Sequence, residues 1–125
     1  MAVFSIIGIM LLSLYLYLAP CLNEPMVNQI LFYPHKLEAH ADEMITIDGI
    51  EAKEVFFLSG KHKINALFYR VPGSKDVVLI NHGNAGNIDH RFGKTKIILD
   101  NGMSVLAYDY RGYGKSGGHH QSRAS

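Results

Sequence analysis

From Ala2 to Pro20 no position is charged, and most are Ile, Leu, Val, Met, Phe or Tyr. Ser5, Gly8 and Ser13 do not gather into a polar face. A helix crossing the hydrocarbon core of a bilayer needs about 20 such residues, so residues 1–20 are read as a single-pass amino-terminal membrane anchor. Two other readings compete. A cleaved signal segment, which would make the protein secreted or periplasmic, calls for a basic start and a small-x-small cleavage site. No Lys or Arg precedes this core, and Leu18-Ala19-Pro20-Cys21 makes a poor site. A buried core helix would show a polar face. Tyr15 and Tyr17 near the far end suit an interfacial aromatic belt. No basic residue flanks the span closely enough to fix its orientation.

Residues 21–42 mix Pro25, Pro34 and polar positions with one apolar patch, Ile30-Leu31-Phe32-Tyr33. They read as a linker docking loosely onto the domain behind it. The period then changes to that of strands. Val55 to Leu58 is a short apolar run closed by Ser59-Gly60-Lys61, a turn signal. Ile64, Ala66 and Phe68 alternate with Asn65, Leu67 and Tyr69, as in the second strand of a hairpin, and Pro72-Gly73-Ser74 stops the run. Val77 to Ile80 is continuously apolar, which predicts a strand covered on both faces.

Asn87 offers a helix N-cap, with Asp89 in the first turn. Ile88, Phe92, Thr95 and Leu99 form a stripe at helical spacing, and Asn101-Gly102 supplies the stop. Val105 to Tyr108 is a second buried strand, followed by a glycine-rich loop. A hairpin leading into a βαβ unit predicts a mixed α/β sheet.

Charge narrows the function. Twelve Lys and Arg are scattered among eleven Asp and Glu, without the basic stripe of a nucleic-acid binder. The lone Cys21 excludes a disulfide framework and a cysteine zinc site. The seven histidines form no HxxxH or HExxH pattern, so neither metal nor cofactor is expected.

Two segments carry chemistry. Asn81-His82-Gly83-Asn84-Ala85-Gly86-Asn87 follows a buried strand and opens a helix. Its glycines allow close approach to main-chain N–H groups, and a turn at a helix start suits a phosphate or a developing oxyanion. The plain alternative is a structural βα turn. The second segment is Tyr108-Asp109-Tyr110-Arg111-Gly112-Tyr113-Gly114-Lys115-Ser116-Gly117-Gly118.

In this order and spacing the two segments resemble the α/β-hydrolase superfamily, from about Glu54 to Gly118. The likeness is nearest to its membrane-anchored branch, the alpha/beta-hydrolase domain-containing proteins related to prolyl-oligopeptidase-like and serine-aminopeptidase-like enzymes. The resemblance implies that the backbone N–H of Asn84 is an oxyanion-hole donor. It makes His82, Gly83 and Gly86, with Asp109 and Arg111 of the second loop, residues that support the loops. Residues 43–125 are then the amino-terminal part of an α/β-hydrolase domain. The implied chemistry is acyl transfer from esters, thioesters or peptide amides to water through a serine ester, with acyl substrate and membrane lipid as partners.

Such enzymes order their triad as serine, acid, histidine, with the serine on an elbow between strand and helix. The segment Gly114-Lys115-Ser116-Gly117-Gly118 matches G-x-S-x-G by letter, but Tyr110 to Lys115 separate Ser116 from the strand and no helical pattern follows. Nor is the loop a phosphate-binding P-loop, because Asp109 stands where that motif needs glycine. The expectation is an amino-terminal fragment of a serine hydrolase, inactive by itself. The alternative is a non-catalytic membrane-tethered fragment or binding module.

Overall fold

A computed structural model describes residues 2–119, with only the backbone described at 2–5 and 20–27. The chain forms two units, an amino-terminal helix and a compact unit beginning at Phe32.

The helix, α1, spans Ala2–Leu31. The uncharged run read from the sequence as the anchor ends at Pro20. The backbone instead stays helical through Pro20 and Pro25. Its large side chains from Ile6 to Leu18 are apolar and exposed all round. Among the described residues no helix is long and apolar enough to cross a membrane. The side chains at 2–5 and at 20, which belong to the uncharged span, lie outside the described residues.

The second unit is a mixed α/β structure. Its strands are β1 (Tyr33–Pro34), β2 (Thr46–Ile47), β3 (Ile50–Ser59), β4 (His62–Tyr69), β5 (Val77–Asn81), β6 (Ala85–Gly86) and β7 (Ser104–Tyr108). Five of them form one sheet in the order β2-β3-β4-β7-β5. The hairpin β3–β4 runs in unbroken register from Ala52↔Tyr69 to Ser59↔His62. Strands β5 and β7 are parallel, as a βαβ unit requires, and β7 is antiparallel to β4. Both parts of the expected sheet are present.

Between β5 and β7 the chain makes a 3-10 turn at Ile88–Arg91 and helix α3 at Phe92–Asp100. Asn87 caps as its sequence position predicts, its Oδ1 accepting the Asp89 N–H at 3.0 Å. Ile88, Thr95 and Leu99 are buried from this stripe and Phe92 packs beside them. They cover one sheet face at Leu67, Tyr69, Ile80, Val105 and Ala107. Met44 of the short helix α2 (Asp42–Ile45) and Ile47 complete that core. Each large aliphatic side chain fully buried there contributes about 1.5–3 kcal/mol. Tyr69 Oη donates to the Met44 carbonyl at 2.5 Å, and burial with the nearby Asp89 charge pushes its pKa upward, so the proton stays on.

Two strand expectations need correction. Ile64 to Leu67 are all buried, without alternation in exposure. Strand β4 is the middle strand of the sheet, and the loop after β7 folds onto its start, Gly117 N–H donating to Lys63 O at 2.8 Å. Strand β5, expected to be covered on both faces, is instead the edge strand of the described sheet. Val77 and Leu79 are 57% and 53% exposed, because the helical side of the unit covers only the opposite face.

The linker read over 21–42 also differs. From Phe32 onward it belongs to the compact unit: β1 pairs in parallel with β6, Tyr33↔Ala85 and Pro34↔Gly86, and Lys36 bridges to Gly114.

Candidate functional site

The register Asn81↔Tyr108 ends β5 and β7 side by side. The turn of residues 82–87 and the loop of residues 109–118 therefore leave the same edge of the sheet. The carboxyl ends of parallel strands are where α/β sheets place ligands.

The first turn is built around His82, which is buried. Its Nδ1 lies 2.7 Å from the Gly83 carbonyl oxygen, an acceptor, so Nδ1 carries the proton. Nε2 then accepts the Tyr110 N–H at 3.4 Å, with Asp109 Oδ1 also at 3.4 Å. Tyr110 closes back by donating its hydroxyl to the His82 carbonyl at 2.7 Å. Tyr113 donates to the Asn84 carbonyl at 2.7 Å, and Tyr33 N–H donates to the same oxygen at 2.9 Å. The His82 ring lies 4.2 Å from the ring of Tyr110 and 5.1 Å from that of Tyr113, centre to centre.

These bonds set the direction of one peptide. In a trans peptide the C=O and N–H point opposite ways. With Gly83 O drawn to His82, the Asn84 N–H is aimed away from the ring. Asn84 is exposed, and among the described residues no hydrogen bond uses its N–H. Gly83 is exposed beside it, while Gly86 has φ +83° and offers its carbonyl to His35 N–H at 3.2 Å.

Asp109 is fully buried beneath the turn, its Oδ1 accepting the Ile88 N–H at 2.9 Å. Arg111 sits farther along the loop beside His62 and Gly118. Desolvation, then the Arg111 charge, holds the His62 pKa below its ordinary value. Among the described residues no group of three His, Cys, Asp or Glu side chains could hold a metal ion.

Ser116 is 2% exposed. Its hydroxyl donates to Asp109 O at 2.8 Å and accepts the Asn65 N–H at 2.9 Å, so its proton and a lone pair are committed to tying the loop to β4. Ser116→Ala is expected to leave the Asn65 N–H unsatisfied and to cost about 1–3 kcal/mol. Urea denaturation should show that loss, and an unshifted midpoint would contradict it. The sequence match to G-x-S-x-G gives no hint of this role. Nor does the sequence reading find His40, Asn65 and Glu54, which the fold brings together. The available signal was Asn65, a poor strand former in the middle of an apolar strand.

No family model matches the chain. Three crystal structures of the Pyrococcus furiosus esterase Pf2001 are similar to it, with TM-scores of 0.55, 0.58 and 0.54 at 24%, 24% and 23% identity. The fold is of the hydrolase type. At this identity the likeness speaks for the fold alone. It covers 70–72% of this chain and 34–36% of the esterase, so the chain spans about a third of the esterase's length.

Proposed function

We propose that this chain carries the oxyanion side of a serine hydrolase acting on esters, thioesters or peptide amides, tethered to a membrane through α1. The observation that carries the hydrolase reading is the Gly83–Asn84 peptide, held by His82 so that the Asn84 N–H stands free at the carboxyl ends of β5 and β7. When a serine attacks an acyl carbonyl, the carbonyl oxygen gains negative charge. A fixed N–H aimed there stabilises that charge without reorganising during the reaction. The two matching loops support placement in the membrane-anchored branch of the superfamily.

The anchor rests on the uncharged span and on the apolar side chains that α1 exposes on every side; a helix apolar all round belongs in an apolar surrounding. The chain is expected to stay with the membrane pellet after alkaline carbonate extraction. Release with the amino terminus intact would rule the anchor out.

A second reading, a non-catalytic membrane-tethered module, is favoured by one fact. Among the described residues no serine stands in the turn between a parallel strand and its following helix, and Ser116 is occupied. A fluorophosphonate probe that labels activated serines separates the two. The hydrolase reading expects labelling of the protein as its own cells make it, and none of the 125-residue chain expressed alone. No labelling in either setting favours the module.

A further inference from the structure

The segment from Phe32 to Ala41 lies as a strap across both loops of the candidate site. On one side Tyr33 N–H donates to Asn84 O at 2.9 Å and His35 N–H to Gly86 O at 3.2 Å. On the other, Gly114 N–H donates to His35 O at 3.0 Å, and Leu37 N–H returns to Gly114 O at 3.2 Å. Lys36 Nζ donates to Ser116 O at 2.7 Å, and Asn87 Nδ2 to His35 O at 3.1 Å. The carbonyl of Asn84 is thus fixed by the strap, and with it one side of the residue whose N–H is the proposed donor.

The strap ends at His40, whose side chain is buried against the 3-10 turn and β4. Its Nδ1 is 2.6 Å from Asp89 Oδ1 and its Nε2 is 2.9 Å from Asn65 Oδ1. Asn65 donates its own amide to Glu54 Oε1 at 2.7 Å, which fixes its oxygen toward His40. Both ring nitrogens therefore face acceptors. A neutral imidazole has one N–H and can serve one of them; the imidazolium serves both. Asp89 Oδ2 also takes the Ala41 N–H at 2.8 Å, so the same carboxylate grips ring and backbone at the end of the strap.

The charges around the ring are complementary. Asp89 faces it from the 3-10 turn and Glu54 from β3 at 3.4 Å. Lys115, from the loop after β7, pairs with Glu54 at 2.5 Å. His90 stands next to Asp89 in the chain, and Tyr69 of β4 senses the Asp89 charge.

We propose that His40, as an imidazolium clamped between Asp89 and Asn65, is a positioning residue that locks the strap over the Asn84 turn, and that loss of its proton loosens the lock. The importance of that turn rests on the hydrolase reading; the lock itself does not. Burial disfavours the charged ring, but the bonds to Asp89 and Asn65 and the Asp89 and Glu54 charges outweigh it and raise the His40 pKa above its ordinary 6.5. Burial likewise opposes the Asp89 carboxylate, and the bonds from His40 and Ala41 N–H outweigh it, lowering its pKa from 3.8. The His40 contribution is complete below pH 6.5 and is lost as pH rises through the raised folded value. The Asp89 contribution is complete above pH 3.8 and is lost as pH falls through the lowered one. The lock is strongest between those limits.

The test follows ring nitrogens and amide exchange by NMR in the full chain held in detergent micelles. Below pH 6.5 both His40 nitrogens should carry protons. As His40 titrates, protection of the Tyr33, His35 and Leu37 amides should fall about ten- to hundredfold, the scale of a hydrogen bond to a charged group, while that of Leu106 and Ala107 holds. Asp89→Asn should move the His40 titration and the step in protection together to lower pH. If that variant loses Leu106 and Ala107 protection as well, His40→Gln decides, and its strap amides should show no step. A strap indifferent to the His40 titration, a step unmoved in folded Asp89→Asn, or a step persisting in His40→Gln each overturns the proposal. No substrate enters the measurement, so its failure would leave the hydrolase reading standing.

Discussion

Gly114→Ala is expected to destabilise the compact unit by about 2–5 kcal/mol. Gly114 has φ +45°, and a Cβ there would fall on the carboxylate of Asp109. An L side chain held near this left-handed region costs about 1–2 kcal/mol. Forcing a methyl into a filled site adds about 1–3 kcal/mol. Asp109 cannot swing aside cheaply, since it is buried and its Oδ1 holds the Ile88 N–H. Gly73→Ala is the control, for Gly73 has φ +79° but nothing within 4 Å of the added methyl. It should cost only the backbone strain. Urea midpoints of the two variants, followed by far-ultraviolet circular dichroism of the full chain in mild detergent, measure the difference. Equal shifts would show that the Asp109–Gly114 contact is not a constraint.

The parts legible in the sequence are those whose signal is local. The hairpin reads from two apolar runs around Ser59-Gly60-Lys61, and the register bears it out. Asn87 reads as a cap because capping is a bond to a residue two positions on. The stripe Ile88, Phe92, Thr95, Leu99 reads from its period and faces the core.

What stays hidden depends on partners distant in sequence. The strap has one two-residue strand, β1, and no period to detect; its bonds join Tyr33 to Asn84 and His35 to Gly114 through main-chain atoms. His40 falls in the segment read as a linker, and only the fold brings Asp89 and Asn65 against its two nitrogens. Val77 and Leu79 mislead in the other direction. Continuous apolarity implies two covered faces, yet these two side chains of the edge strand stay exposed because the helical layer covers only the other side.

The chemical role proposed for Asn84 falls on its backbone rather than its side chain. Asn84→Ala keeps the N–H and the carbonyl that Tyr33 and Tyr113 hold, so it should reduce ester turnover no more than several-fold. Asn84→Pro deletes the donor. Losing one oxyanion donor is worth about 10²–10³ in turnover, about 3–4 kcal/mol. The residue before a proline is pushed out of the helical region, so both variants must first show wild-type far-ultraviolet circular dichroism. The decisive measurement is then the ratio of kcat for the two folded variants on a p-nitrophenyl ester, in the protein as its own cells make it. An oxyanion role for the Asn84 N–H predicts a ratio of about 10²–10³ in favour of Ala. Equal turnover in the two would contradict it and leave residues 82–87 a structural turn.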